Sequence, residues 1–442
     1  MAPHDDDERK KEAERHYATA LTWHEACRGK QELFPRCPVR GTADFSVWYT
    51  PGVAEPCRRI HADPASVYKY TNKGNTIAVL SDGSRVLGLG DIGPAAGLPV
   101  MEGKGLIFKM YGGVDAFALC VDAPTTEAMV AVGRAIAPSF GGINLEDIAS
   151  PRCFDILDRL RAELDIPVWH DDRQGTATVI FAGLMNAACV TGRRLADCRF
   201  VLLGAGAANL AVAELLAFTG VDPGQVVFVD RPGILGPEHA PYHPLRDGLV
   251  ARSNARGRTG GLAEALDGAD VLVALSAPGP GIVTPAHLRV MAKDPIVFAC
   301  ANPVPEIWPW DAADAGAAVV ATGRGDFPNQ VNNALIFPGV FRGALDVQAR
   351  TISQGMCVAA ATALAQVATA EGLRPDRILP AIDDPAVAPA VAAAVGLAAM
   401  AEGLARCPLS REELVEKAEF SCNRSAKVMT MMLREGLLPQ LP

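Results

Sequence analysis

Between residues 165 and 321 short apolar runs of strand length alternate with helical stretches, and one strand-to-helix joint reads Gly204-Ala-Gly206. This alternation constrains the chain more than any other feature, because strands separated by helices pair in parallel as βαβ units. The strands read as Pro167-Val-Trp169, Arg199-Phe-Val-Leu-Leu203, Val226-Val-Phe-Val-Asp230, Val271-Leu-Val-Ala-Leu275, Ile296-Val-Phe-Ala299 and Ala318-Val-Val-Ala321. Helices are expected over 175–190 and 207–219. Upstream, Thr76-Ile-Ala-Val-Leu80, Val86-Leu-Gly-Leu89, Gly105-Leu-Ile-Phe108, Ala116-Phe-Ala-Leu-Cys-Val121 and Gly142-Ile-Asn-Leu145 also read as strands, with helices over 18–29, 125–137 and 152–163. From Thr351 onward the chain is helical and rich in alanine.

The joint at Gly204 follows a strand and precedes a helix, the context a dinucleotide fingerprint requires. Its first glycine allows the tight turn and its second lets the backbone approach a pyrophosphate at the helix N-terminus, where Ala207 and Ala208 open the first turn. The third position is Asn209 rather than a small residue. Asp230 ends the next strand, close to the ~20-residue spacing of a ribose-binding acid. A carboxylate there favours NAD, whereas Arg231 beside it could hold the 2′-phosphate of NADP. The competing view, an ordinary glycine turn, is weaker with strand, helix and acid all present.

Two carboxylate pairs, Glu146-Asp147 and Asp171-Asp172, each follow a strand. Such pairs can converge at one mouth of an α/β unit, and an oxygen-only set beside a single His170 suits Mg²⁺ or Mn²⁺. Taken alone, each pair reads as a solvated turn or a helix cap. Lys104, in the glycine-rich run after Gly88-Leu-Gly90, would act as a base if desolvated; a lone lysine is otherwise a surface residue. Tyr49 precedes a Pro-Gly turn. Asn302, Asn332 and Asn333 lie in Pro-Asn clusters that either turn the chain or line a crevice.

Several longer motifs carry a resemblance. Tyr49-Thr-Pro-Gly-Val-Ala-Glu-Pro-Cys57, Leu87-Gly-Leu-Gly-Asp-Ile-Gly93, Glu102-Gly-Lys104, Gly141-Gly-Ile-Asn-Leu-Glu-Asp147, His170-Asp-Asp-Arg-Gln-Gly-Thr176, Ala301-Asn-Pro303 and Asp326-Phe-Pro-Asn-Gln-Val-Asn-Asn333 stand in the order found in malic enzymes. The chain resembles the short, bacterial-type form of that family. The resemblance implies oxidative decarboxylation of (S)-malate to pyruvate and CO₂ with reduction of NAD or NADP and a divalent metal. It implies Tyr49 as general acid, Lys104 as general base and Asp171 as the group orienting the lysine. It also implies Glu146, Asp147 and Asp172 as metal ligands, with Arg85, Asn302, Asn332 and Asn333 contacting substrate or nicotinamide. A malolactic-type reaction, a substituted malate as substrate, and a catalytically silent NAD-binding sensor are the alternatives. Arg152, where an acid is common, and Arg173-Gln174 depart from the family pattern.

The expected organisation is a charged, flexible segment at residues 1–17 and a smaller N-terminal α/β domain resembling the malic-enzyme N-terminal domain at 18–165. A Rossmann-type parallel-sheet NAD(P)-binding domain at 166–350 and an Ala-rich helical segment at 351–442 follow. Composition narrows the function classes. Net charge is −9, with 41 basic against 50 acidic residues and no dense Lys/Arg cluster, which speaks against nucleic acid and anionic membranes as partners. The 11 cysteines form no CxxC pair, so free thiols in a reducing cytoplasm are expected. The first residues contain no apolar signal-peptide core, and Pro385 to Ala401 is too Ala-rich to be a membrane span. The small N-terminal domain and the Ala-rich tail suggest a homodimer, with room for a partner's contribution to each active site.

Overall fold

The computed structural model describes residues 6–86 and 88–441. Residues 1–5 of the charged N-terminal segment, and Leu87 in the expected strand 86–89, lie outside the described residues. The chain forms an α/β structure with two sheets. The first holds β1 (Thr76–Ser81), β2 (Asp115–Cys120), β3 (Gly142–Leu145) and β4 (Val168–His170) in the order β2-β1-β3-β4. All its pairings are parallel. The second holds β5 (Phe200–Leu203), β6 (Val226–Asp230), β7 (Gly233–Ile234), β8 (Val271–Ala274), β9 (Ile296–Ala299) and β10 (Val319–Thr322) in the order β10-β9-β8-β5-β6-β7. Only the two-residue β7 runs antiparallel. Strands buried on both faces read as unbroken apolar runs, which is why these elements stood out in the sequence.

In each sheet the chain starts in the middle and winds outward both ways. The crevices where strand order reverses lie between β1 and β3 and between β5 and β8, at the carboxyl ends of the strands. The buried helix Thr176–Val190 links β4 to β5 and joins the two sheets in one apolar core.

Two upstream expectations are corrected. Gly105 to Phe108 is helix, within Gly93–Gly112. Its apolar run has strand character, but the helix places its glycines where neighbours leave no room for a side chain. A Cβ on Gly105 would lie 2.5 Å from the Gln31 amide, and one on Gly112 would lie 2.9 Å from the Pro338 carbonyl oxygen. Tertiary packing thus outweighs the cost of glycine in a helix. Around Val86 the chain makes a turn with a single bridge to Gly90, not a strand. The first helix also spans Asp6–Cys27, starting before Ala18.

After the second sheet, helices Phe337–Asp346, Gln354–Ala370, Val387–Ala401 and Arg411–Arg434 return to the first. Cys422 Sγ donates to the Tyr111 carbonyl at 2.9 Å, on the helix that ends at Gly112. Helix Val387–Ala401 packs so closely on Phe337–Asp346 that a Cβ on Gly343 would lie 2.3 Å from the Ala392 backbone oxygen. Gly343→Ala should therefore destabilise the protein by about 1–3 kcal/mol through overpacking, read as a lower thermal midpoint. An unchanged midpoint would mean the two helices are not packed this closely. Among the described residues no helix is long and apolar enough to cross a membrane.

Residues 15 to 62 contrast with this core. They contain no buried residue and display Tyr17, Leu21, Trp23, Leu33, Phe34 and Trp48 as exposed apolar side chains.

Candidate active site

The site begins at the carboxyl ends of β3 and β4, which are neighbours in register at Leu145 and His170. The residues that follow each strand therefore emerge side by side. Glu146 and Asp147 leave β3; Asp171 and Asp172 leave β4 in a wide, π-type turn, Asp171–Gly175, that feeds helix Thr176–Val190. Gly175 is required there, because a Cβ would lie 2.0 Å from Asp171 Oδ1. Asp147 sits in the left-handed region at φ 53°, a conformation short polar side chains tolerate. Its N–H donates to Asp172 Oδ2 at 2.9 Å, fastening the two strand ends together.

Lys104 reaches this point from helix Gly93–Gly112. Its Nζ lies 2.6 Å from Asp171 Oδ2 and 3.0 Å from Glu146 Oε1, and 4.5 Å above the centre of the Phe337 ring. Burial alone would pull its pKa down, but Asp171 and Glu146 outweigh burial and hold the ammonium form above its ordinary range. Asp171 is fully buried and also accepts from Trp169 Nε1 at 3.0 Å. Glu146 accepts from Asn144 Nδ2 at 2.7 Å. Burial drives its carboxyl well above the usual carboxylate range; Lys104 opposes this, while Asp171, Asp172 and Asp147 add to it.

Carboxylate oxygens of Glu146, Asp147 and Asp172 lie within 4.8 Å of one another. With Asp171 beside them, four carboxylates face one lysine. That surplus of negative charge on oxygen-only donors fits a hard divalent cation. His170 is buried; among the described residues neither ring nitrogen has a hydrogen-bond partner, and burial lowers its pKa.

The loop bearing Arg85 is held above this centre. The Arg85 N–H donates to the Asp147 carbonyl at 3.0 Å, and the Arg85 side chain is exposed. Arg152 secures the same loop by donating to Asp82, to Ser84 Oγ at 3.2 Å and to the Ala123 carbonyl at 3.0 Å. The sequence flagged Arg152 only as a departure from a pattern.

The glycine turn of the second sheet leads into helix Ala207–Phe218. Gly204 has φ 92°, and a Cβ there would lie 2.5 Å from the Leu275 carbonyl oxygen. Gly206 caps helix Ala207–Phe218, and a Cβ on it would meet nothing within 4 Å. This is open space at a helix N-terminus, a cradle that fits a pyrophosphate. Asn209 is buried and donates through Nδ2 to the carbonyls of Leu203 and Gly204, each at 2.9 Å. A hydrogen bond to the turn thus replaces the close packing that a small third residue would give. Asp230 accepts from the N–H groups of Ala205 at 3.2 Å and Arg231 at 2.8 Å, and the Arg231 side chain is exposed.

Asn333 places its Cβ against Gly175, and Asn332 Oδ1 accepts from the Ala334 N–H at 3.0 Å. Asn302 packs against Gly323. Tyr49 is different. It is 70 % exposed on the loop after helix Phe45–Trp48, and among the described residues no hydrogen bond joins its hydroxyl to the lysine–carboxylate centre. Sequence reasoning gave Trp169, Phe337 and Glu214 no role in the site. Glu214 pairs with Arg173 at 2.8 Å and so ties the nucleotide helix to the Asp171 turn. The first two are apolar rings indistinguishable from core until Lys104 and Asp171 are placed.

A glycine turn opening a helix on a parallel sheet, together with a buried lysine set among carboxylates, fits a pyridine-nucleotide-dependent oxidoreductase. The chain matches the family descriptions "Malic enzyme, N-terminal domain" over residues 28–131 and "Malic enzyme, NAD binding domain" over 173–400, and it belongs to the malic enzyme family. It is 47 % identical to the bifunctional malic/malolactic enzyme of Bacillus subtilis, over 90 % of this chain and 96 % of that one. It is 48 % identical to the NAD-dependent malic enzyme of Geobacillus stearothermophilus, over 86 % and 78 %. NADP-dependent malic enzymes are also among its relatives. The crystal structure of a malic enzyme from Pyrococcus horikoshii superposes with a TM-score of 0.89 at 48 % identity, covering 92 % of this chain and 95 % of that one.

Proposed function

We propose that this protein converts (S)-malate to pyruvate and CO₂ while reducing NAD(P). The observation that carries the reading is Lys104, held between Asp171 and Glu146 at the edge of the three-carboxylate cluster. Lys104 Nζ, in its neutral form, takes the proton of the C2 hydroxyl as C2 releases hydride to the nicotinamide. Asp171 and Glu146 then stabilise the ammonium that forms. Asp171 is itself fixed by Trp169, so the lysine is aimed by a residue that cannot swing. Glu146, Asp147 and Asp172 would hold Mg²⁺ or Mn²⁺. When bound, the cation supplies Lewis-acid polarisation of the C2 oxygen and cancels part of the charge that keeps Lys104 protonated. Arg85 pairs with a substrate carboxylate, while Asn302, Asn332 and Asn333 contact substrate or nicotinamide. Tyr49 protonates C3 of the enol left after CO₂ departs.

Tyr49 is exposed within one chain, and the segment around it displays a broad apolar surface. A surface of that kind calls for a partner. The working form is a homodimer that covers it and brings Tyr49 to an active site. All 11 cysteines are free thiols, which supports a cytoplasmic location.

The test is the absorbance of reduced cofactor with malate, Mn²⁺, and NAD or NADP in parallel. Malate-dependent reduction is expected, with NAD preferred, because Asp230 meets the adenosine ribose and disfavours a 2′-phosphate. Asp230→Ala should narrow the gap between the two cofactors. A wild-type preference of tenfold for NADP, ~1.4 kcal/mol, would assign the choice to Arg231. Lactate formed without net reduced cofactor would assign the malolactic activity that the Bacillus relative's name includes.

A further inference from the structure

Glu306 is fully buried, yet it lies outside every group given a role so far. Among the described residues its carboxylate forms no salt bridge. Oε1 accepts from the Ser276 N–H at 2.8 Å and from Ser276 Oγ at 3.1 Å, and Oε2 accepts from the Ala301 N–H at 3.1 Å. Ser276 belongs to the loop after β8, and Ala301 to the loop after the neighbouring β9. The Glu306 backbone carbonyl accepts in addition from Gly281 at 3.2 Å and Val283 at 3.1 Å, farther along the β8 loop.

Each loop pinned in this way touches a different part of the site. The Leu275–Ser276 peptide is the surface against which Gly204 must lack a side chain: a Cβ there would lie 2.5 Å from the Leu275 oxygen and 3.2 Å from Ser276 Cα. The Ala301 loop continues into Asn302 and Pro303. Their atoms lie 3.5 and 3.4 Å from the position of a Cβ on Gly88, in the turn after Arg85. One buried carboxylate therefore fastens the wall behind the nucleotide turn to the wall that meets the substrate loop.

We infer that Glu306 is a positioning residue: it locks the β8 and β9 loops into a single rigid wall that sets where the nicotinamide end of the cofactor sits relative to the substrate loop. The inference rests on the malic-enzyme reading for its substrate half, but its cofactor half stands without it. A carboxylate accepting only from neutral N–H and O–H donors is costly to bury, and a shape-matched amide would fill the same space. Gln in its place turns one acceptor into a donor facing a loop N–H, so one of the two loops must detach.

The experiment compares wild type, Glu306→Gln and Ser276→Ala, the last removing only the hydroxyl contact to Oε1. NADH affinity is measured by fluorescence titration without malate, KM and kcat with malate, and the thermal midpoint of each variant. Glu306→Gln should weaken NADH binding about tenfold and raise the KM values for NAD and malate together, with a thermal midpoint near wild type. Ser276→Ala should shift NADH affinity in the same direction by a smaller factor. Wild-type NADH affinity in folded Glu306→Gln overturns the inference. If Glu306→Gln fails to fold, unchanged NADH affinity in Ser276→Ala overturns it instead. A wild type that binds NADH but leaves malate unreacted defeats the malate reading, while a weakened Glu306→Gln still supports the wall.

Discussion

Lys104→Ala should lower malate-dependent cofactor reduction by roughly 10²–10⁴-fold, the range a positioned acid–base group supplies, with reduced-cofactor binding retained. The expectation follows from geometry. Nζ is the sole cationic group bonded to both Asp171 and Glu146 among the described residues, and it rests on the Phe337 ring, so no neighbouring side chain is placed to substitute. Removing it leaves four carboxylates with no internal cation. Tyr49→Phe should fail differently, because in the proposed reaction its proton is needed only after CO₂ has left. It should slow exchange of the C3 protons of pyruvate in D₂O most, and hydride transfer less. Partial-reaction kinetics on oxaloacetate and pyruvate for both variants decide the matter. If Tyr49→Phe exchanged pyruvate protons at the wild-type rate, the tyrosine would be a packing residue; if Lys104→Ala reduced cofactor normally, the base would lie elsewhere.

Chelation should have an effect at least as large. Glu146, Asp147 and Asp172 crowd their oxygens within 4.8 Å of one another, a repulsive arrangement for which Lys104 compensates only in part. EDTA treatment followed by gel filtration should remove essentially all turnover, and Mg²⁺ or Mn²⁺ should restore it. Zn²⁺, which favours nitrogen and sulfur ligands, should restore less. Full turnover in rigorously chelated protein would show that the trio serves another purpose.

Much of this architecture was legible in the sequence. The β5, β6, β8 and β9 segments are apolar runs of strand length bounded by turn residues, and a strand buried on both faces has no other appearance. The proximity of Glu146-Asp147 to Asp171-Asp172 was legible as well, since each pair follows a strand and parallel neighbours end on the same side. What escaped were features decided by tertiary contact. The Gly105–Phe108 run has the hydrophobicity of a strand, and only the fit of its glycines against Gln31 and Pro338 makes it helical. Lys104 could be singled out, but not its place on a helix that crosses the sheet and delivers it between two acids. Glu306 gave no signal, because its partners are backbone groups from two loops that are close only in three dimensions. Tyr49 shows the opposite limit: its motif is readable, yet a single chain leaves it facing outward.

Helix Thr176–Val190, with the Asp171–Gly175 turn before it and the short Leu195–Asp197 turn after it, is the main connection between the strand that delivers Asp171 and Asp172 and the strand that opens into the glycine turn. In engineering terms it is a spacer gauge. At ~1.5 Å and ~100° per residue, one residue inserted into or deleted from the helix would shift its far end by about a bond length and swing it by over a quarter turn. Its side chains could be repacked within limits, but its residue count sets the reach of the hydride.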